Sequence, residues 1–341
     1  MRNLIRPHLH GIVPYSTARD ESKAVHGVFL DANENPYKWP YNRYPDPLQK
    51  ELRKAIAELK QMDESQVFIG NGSDEIIDLL IRVFCEPGKN SIMVLPPTYG
   101  MYAVSARAHN IRVKEVQLDD EFQPHLEGIA AHWKDVKLIF LCSPNNPTGN
   151  KMDATRVLSL LETFDGVVVI DEAYSDYSES EGFKGFLSTF PRLVIMQTFS
   201  KAWSMASARI GIALTSSELV SILNKVKLPY NINNLSANAL MKQISKRSKV
   251  DLQIRKTINE REKLFLNLQK LPFVVKVFRS EANFLLVKVT DAERIYNYLS
   301  GKGIIVRNRS SCTGLDNCLR ITIGTNNDNK LLMKHLNDYN K

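Results

Sequence analysis

The stretch from Val194 to Gly211, VIMQTFSKAWSMASARIG, decides how the chain is read. It opens with an apolar run of the length and composition of a strand buried on both faces. Where the run stops it places Ser200 and Lys201, with Arg209 eight residues further on. A lysine at the end of a buried strand is partly desolvated, which disfavours the ammonium and leaves an amine nucleophilic toward carbonyls. A surface lysine whose stem covers apolar residues would show the same local pattern, so the rest of the chain has to decide between the two.

Runs of the same kind recur from about Pro47 to Leu214: VFIG (67–70), SIMVLP (91–96), VKLIFLC (136–142), GVVVI (166–170) and RLVIMQTF (192–199). Amphipathic segments such as DEIIDLLIRVF and ATRVLSLLETF lie between them. Strand and helix in alternation predict an α/β fold with a mostly parallel central sheet and helices on both faces. After a long charged helical stretch, roughly 238–271, the texture changes. FVVKVF and NFLLVKV read as strands, TDAERIYNYLSGKG as a helix opened by a Thr290/Glu293 capping box and stopped at Gly301, and GIIVRN and CLRITIG as two further strands. This is a smaller α+β domain. At 341 residues the chain is longer than the ~250–300 at which one core stops growing. The expected division is an N-terminal arm with the first part of the small domain (1–32), a large ligand-binding domain (33–245) and the small C-terminal domain (246–341).

Hydrophobic residues at 43% and charged residues at 24% suit an ordered globular protein. The net charge of +8 is dispersed rather than gathered in a stripe, which argues against a nucleic-acid partner. Cys85, Cys142, Cys312 and Cys318 have no metal-ligand spacing and read as reduced thiols filling the core. MRNLIRPHLHGIVPY interrupts each apolar pair with a charge, His or Pro, so it has no signal-peptide core, and no run approaches the ~18 apolar residues of a membrane span. A cytoplasmic location is expected.

In an open parallel sheet, ligands bind beyond the carboxyl ends of the strands. Here those ends carry polar groups one after another. GNGSDEII follows the first strand and opens a helix, whose free N–H groups would hold a phosphate, although Asn71 or Ser73 acting as a plain helix cap gives the same letters. A dinucleotide fingerprint fails, because Glu75 occupies the third glycine position and SIMVLPP ends without an acid for the ribose. PPTYGMY offers Tyr99 as a stacking ring, and SPNNPTGN offers the amide of Asn146. VVVIDEAY sets Asp171 behind four aliphatic residues, costly for a carboxylate that meets neither cation nor donors, with Tyr174 three residues on. One ligand uses all of these groups together. Pyridoxal 5'-phosphate wants a helix N-terminus for its phosphate, an aromatic for its ring, a carboxylate for its pyridinium nitrogen and a lysine for its aldehyde.

SPNNPTG, DEAY and TFSKAWSMASARIG, in that order, resemble the fold type I pyridoxal-phosphate-dependent aminotransferases. DANENPY, NRYPDP, GNGSDE, PPTYGMY, GIIVRNRS and CLRITIG are similar, more narrowly, to the histidinol-phosphate aminotransferases, over about residues 14–324. The resemblance implies transamination between histidinol phosphate and 2-oxoglutarate, a step of histidine biosynthesis. It implies that Lys201 condenses with the cofactor aldehyde and later shuttles the proton, that Asp171 keeps the ring nitrogen protonated, and that Asn146 and Tyr174 bond the ring's phenolic oxygen while Tyr99 stacks on its face. The cofactor phosphate falls to the backbone of Ser73 and Asp74 with Thr198, Ser200 and Arg209. Tyr44 would reach the phosphate in a neighbouring subunit, making the enzyme a homodimer. Arg320 would take the α-carboxylate of glutamate or the phosphate of histidinol phosphate, and Arg307 would assist at the distal carboxylate or the phosphate. Both suit the forked geometry of such anions. Tyr15 and Asn33 would line the pocket. Lys38 and Trp39 stand where a Gly-Pro turn is common in the family, so the entrance loop departs from the pattern. A threonine-phosphate decarboxylase and an aromatic aminotransferase are alternatives on the same scaffold.

Overall fold

A computed structural model describes residues 2–13, 28–179 and 181–339. Its larger sheet has seven strands, β1 (Val67–Asn71), β2 (Ser91–Val94), β3 (Arg112–Glu115), β4 (Val136–Cys142), β5 (Val167–Asp171), β6 (Leu193–Thr198) and β7 (Ile210–Leu214), in the order β1-β7-β6-β5-β4-β2-β3. The five apolar runs read as strands are β1, β2, β4, β5 and β6. The sheet is parallel through β3, β2, β4, β5 and β6, and β7 alone runs antiparallel to both its neighbours.

Alternation within the strands shows why both faces must be covered. Val168 and Ile170 of β5 enter one apolar core with Ile139 and Leu141 of β4, whereas Val167 and Val169 enter another with Leu138 and Phe140. Side chains two apart share a face, so each strand feeds two cores. The helix Gly72–Phe84 closes one of them, burying Ile76, Ile77, Leu80 and Phe84. The helix Ala154–Thr163 closes the other with Val157, Leu160 and Leu161, and Asp153 caps its start by accepting from the Arg156 N–H at 2.9 Å.

The smaller sheet contains β8 (Val274–Val277), β9 (Phe284–Val289), β10 (Arg307–Asn308) and β11 (Cys318–Thr322), antiparallel throughout in the order β10-β11-β9-β8. Its own core joins Leu264 and Leu268, from the helix Arg247–Leu268, to Leu285, Val287, Ile295, Leu299, Leu319 and Ile321.

Three local expectations change. The charged stretch forms two helices, Asn234–Ile244 and Arg247–Leu268. The helix Ala292–Gly301 is capped by Asp291, which accepts from the Arg294 N–H at 3.0 Å, and not by Thr290. Residues 2–11, expected to lead into the small domain, pack on the large one instead. Ile5 is buried against the Phe68 and Ile76 core, and Arg6 pairs with Glu86 at 3.0 Å.

Candidate active site

The parallel strands end around a cavity of about 410 Å³ lined by residues of both sheets. At its floor β5 delivers Asp171, 3% exposed. Tyr102 donates its hydroxyl proton to Oδ2 at 2.7 Å, and the Ala173 N–H donates to Oδ1 at 3.0 Å. Burial pushes this carboxyl above its ordinary value, and the two donors only partly oppose the shift. Beside it lies the Cys142 thiol, raised by burial and by the charge of Asp171. That cysteine lines the cavity rather than merely filling the core.

Lys201 follows β6 and reaches solvent through the cavity mouth. Protein on its other sides lowers the basicity of the amine by desolvation, the positive Arg320 lowers it further, and Asp171 opposes both. Its Nζ stands 5.7 Å from the centre of the Tyr174 ring. Tyr174 is itself buried edge-on against Phe284 at 5.2 Å, with its phenol pushed up by burial. Tyr99 packs edge-on against Tyr102 at 5.4 Å, and its hydroxyl lies 3.3 Å from Asp74 Oδ1. Burial first, and Asp74 next, push the Tyr99 phenol up to about 12.

One side of the cavity is the start of the helix Gly72–Phe84. Neither Asn71 nor Ser73 caps it. Glu75 folds back to accept from the Asn71 N–H at 2.5 Å, leaving the Ser73 hydroxyl to the cavity. Arg209 crosses above this turn, 3.2 Å from Asp74 Oδ2 and 3.4 Å from Ser200 Oγ, which in turn lies 3.0 Å from Thr198 Oγ1. The approach is possible only over glycine. A Cβ on Gly72, whose φ is +77°, would stand 2.5 Å from Arg209 Nη2. First-turn N–H groups, the hydroxyls of Ser73, Thr198 and Ser200, and a guanidinium together form an anion cup.

The opposite wall comes from Arg307 of β10, Arg309 just after it and Arg320 of β11. Arg320 donates from Nη1 to Asn146 Oδ1 at 2.5 Å, leaving the Asn146 amide nitrogen as its donor toward the cavity. Burial and the positive Arg309 lower the Arg320 guanidinium from its usual value.

The cavity thus gathers Ser73, Asp74, Tyr99, Asn146, Asp171, Tyr174, Thr198, Ser200, Lys201, Arg209, Arg307 and Arg320, all named from the sequence. It does not gather Tyr44 and Asn33, which line a second cavity of about 350 Å³ where Tyr44 stacks on Tyr230 at 4.6 Å. Tyr15 lies outside the described residues. Sequence reasoning passed over Tyr102, Cys142 and Arg309. Arg309 is two residues after Arg307 in extended chain and follows from that period, whereas Tyr102 lies on the helix Met101–Ala108, which begins only after Tyr99.

Side chains gathered in this way at the strand ends, from two sheets of one chain, define a class of pyridoxal-phosphate-type transferases. Residues 21–336 match the family described as aminotransferase class I and II, and the chain belongs to that family. Within it, the chain is 48% identical over 336 residues to the histidinol-phosphate aminotransferase of Flavobacterium psychrophilum, an alignment covering 98% of this chain and 97% of that relative. Among solved structures, the histidinol-phosphate aminotransferase of Clostridium acetobutylicum superposes with a TM-score of 0.81 at 25% identity, covering 87% of this chain and 90% of that one. The enzyme of that name from Sinorhizobium meliloti, in complex with pyridoxal-5'-phosphate, shares the fold with a TM-score of 0.80 at 22% identity, covering 87% and 84%.

Proposed function

We propose that the protein is a pyridoxal 5'-phosphate-dependent aminotransferase. It moves the amino group of histidinol phosphate to 2-oxoglutarate, yielding imidazole acetol phosphate and glutamate, in histidine biosynthesis. The observation that carries this reading is the pair of separate anion sites flanking Lys201, with the Arg209 cup on one side and the arginine wall on the other. One suits the phosphate of a resident cofactor and the other the anion of a substrate. Identity of 48% and 47% over nearly the whole chain to relatives named for this reaction supports the transaminase over the decarboxylase and the aromatic aminotransferase.

The residues fit the cofactor. Asp171 is a buried carboxylate with two neutral hydrogen-bond donors, and a cationic ring nitrogen would relieve the burial that raises its pKa. When bound, the cofactor supplies an electron-poor ring that accepts the electron pair released at the substrate's α-carbon. Asp171 holds the proton on the ring nitrogen. Asn146 and Tyr174 bond the phenolic oxygen, and Tyr99 covers the ring face. Ser73, Asp74, Thr198, Ser200 and Arg209 hold the phosphate. Lys201, its basicity lowered by its surroundings, takes and returns the substrate's α-proton. Arg320 and Arg307 receive the substrate anion, with the fork of Arg320 matched to carboxylate or phosphate.

The active form is a homodimer in the cytoplasm. Tyr37, Trp39 and Tyr41 are more than half exposed and Tyr44 is half exposed, with Tyr41 and Tyr44 lining the second cavity, an apolar patch of the kind a partner covers. Tyr44 serves the site of the other subunit, and the large and small domains meet near residue 245. The testing experiment is a donor screen of the pyridoxal-phosphate-loaded protein with 2-oxoglutarate as acceptor. Histidinol phosphate should give glutamate faster than any other donor. Carbon dioxide released from threonine phosphate without an oxo acid would replace this reading with the decarboxylase.

A further inference from the structure

Three guanidinium groups share one face at the edge of the small sheet. Arg307 lies directly opposite Arg320 in the ladder between β10 and β11. Arg309, two residues along, returns to the same face, while its backbone N–H extends the ladder by donating to Cys318 O at 2.8 Å. All three line the cavity that holds Lys201. Like charges set opposite one another across a ladder repel, and Arg309 and Arg307 both press on Arg320. Among the described residues none of the three is paired with a carboxylate, although Arg43, Arg156, Arg209 and Arg279 each are. The Nε atoms of Arg309 and Arg320 are buried with no hydrogen-bond partner. A wall with three cations and unused donors is built for an anion larger than one carboxylate.

The charges and oxygens of the two donors differ in a way that this wall can read. Glutamate spreads its two carboxylate charges over two separate groups, one for Arg320 and one for Arg307. A phosphate monoester brings three terminal oxygens and about −1.5 to −2 charges near neutral pH. Taking histidinol phosphate as the donor, as proposed above, we infer that Arg309 is a specificity-determining residue. Its guanidinium completes the wall for a phosphate monoester and so favours the phosphorylated donor over the glutamate that shares the site. Arg320 and Arg307 serve both donors, and Arg309 contributes its full charge and fork to only one.

The test compares wild type, R309Q and R309K as pyridoxal-phosphate-loaded enzymes. kcat/KM is measured for histidinol phosphate and for glutamate, each with its own oxo-acid acceptor, and inhibition is measured with inorganic phosphate and with glutarate. R309Q should lower kcat/KM for histidinol phosphate by about tenfold or more beyond any loss with glutamate, the loss of one charge-assisted contact. Inhibition by inorganic phosphate should weaken more than inhibition by glutarate. R309K, restoring charge without the fork, should recover part of the selectivity. Equal losses with both donors, or unchanged inhibition by inorganic phosphate, would overturn the assignment and make Arg309 a support for the fold. If R309Q does not fold, R309K carries the same comparison on its own. A wild-type enzyme unable to use histidinol phosphate would overturn the functional reading, a result seen before any variant is made.

Discussion

Tyr102 donates its hydroxyl proton to Asp171 Oδ2 at 2.7 Å, and its ring stacks on Phe140 with centroids 4.7 Å apart, so one buried tyrosine ties the helix Met101–Ala108 to the end of β5. With Tyr102 wholly buried and Asp171 nearly so, water cannot replace the bond if it is cut. Tyr102→Phe keeps the stack and removes only the donor. The cofactor-free variant should be less stable by about 1–3 kcal/mol, the range for a buried hydrogen bond to a group that is charged for part of its titration. Denaturant unfolding at neutral pH measures this, and a midpoint equal to wild type would show that the bond contributes nothing. The carboxyl stretch of Asp171 in the infrared should also titrate at higher pH than in wild type, because one of the two donors stabilising the carboxylate has gone.

Asp171 predicts a pH dependence whose sign is fixed. Its folded-state pKa is raised above the ordinary 3.8 by burial, so the folded cofactor-free chain binds this proton more tightly than the unfolded chain does. Its contribution to stability is fully present below the unfolded value and is lost as pH rises through the raised folded value. Asp171→Asn stays neutral throughout and can still accept from Tyr102. Without cofactor it should therefore unfold at higher temperature than wild type above that window, with the advantage shrinking as pH falls toward the ordinary carboxylate value. A constant difference across the range would mean that Asp171 is not the group responsible. With cofactor the variant should have slow proton-transfer half-reactions, since the charge holding the ring proton is missing.

The large sheet was legible because its strands are buried on both faces. VVVI and LVIM cannot be amphipathic helices, and each leads within a few residues to polar groups, Asp171 after one and Ser200 and Lys201 after the other. β3 and β7 were not recognised. RVKE is charged and half-exposed, like an ordinary edge strand, and IGIAL follows Arg209 too closely to look like a separate element. The antiparallel run of β7 is a consequence of that short return. Site residues at strand ends could be named because the ends are local in sequence. Tyr102 could not be weighed in the same way, since what matters about it is a partner far along the chain: Asp171 is 69 residues away.

The anion cup rests on close backbone approach between the start of β7 and the turn before the helix Gly72–Phe84. An ideal Cβ on Gly211 would lie 2.5 Å from the Ser73 nitrogen and 2.6 Å from the Gly72 carbonyl carbon, both backbone atoms that cannot swing aside. Gly211→Ala should therefore push the first-turn N–H groups out of the cup. Affinity for pyridoxal 5'-phosphate, followed by quenching of tryptophan fluorescence, should fall by about tenfold or more, as expected when charge-assisted contacts to a phosphate are lost. Gly185 and Gly301 meet nothing within 4 Å at the same construction. Gly301→Ala is thus the control, and equal losses in both variants would remove the cup from the explanation.

Tyr44 tests whether two chains build one site. In its own chain it stacks on Tyr230 beside the second cavity, is half exposed, and does not line the cavity that holds Lys201. A phenol that serves only the partner's cup can be separated genetically from a lysine that serves its own. Lys201→Ala should be inactive, and Tyr44→Ala should bind the cofactor weakly and be severely impaired. In a mixed dimer, one site then receives both lesions and the other receives neither. Mixing the two inactive proteins under conditions of subunit exchange should restore activity, approaching a quarter of the wild-type value per total site when the chains pair at random: half the dimers are mixed, and each has one intact site. Exchange is followed independently by the mass of the mixed species carrying a tag on one chain. If mixed dimers form and activity does not return, Tyr44 acts within its own chain and the shared site is wrong. If mixing returns activity in proportion to the mixed species, each site takes its lysine from one chain and its Tyr44 from the other.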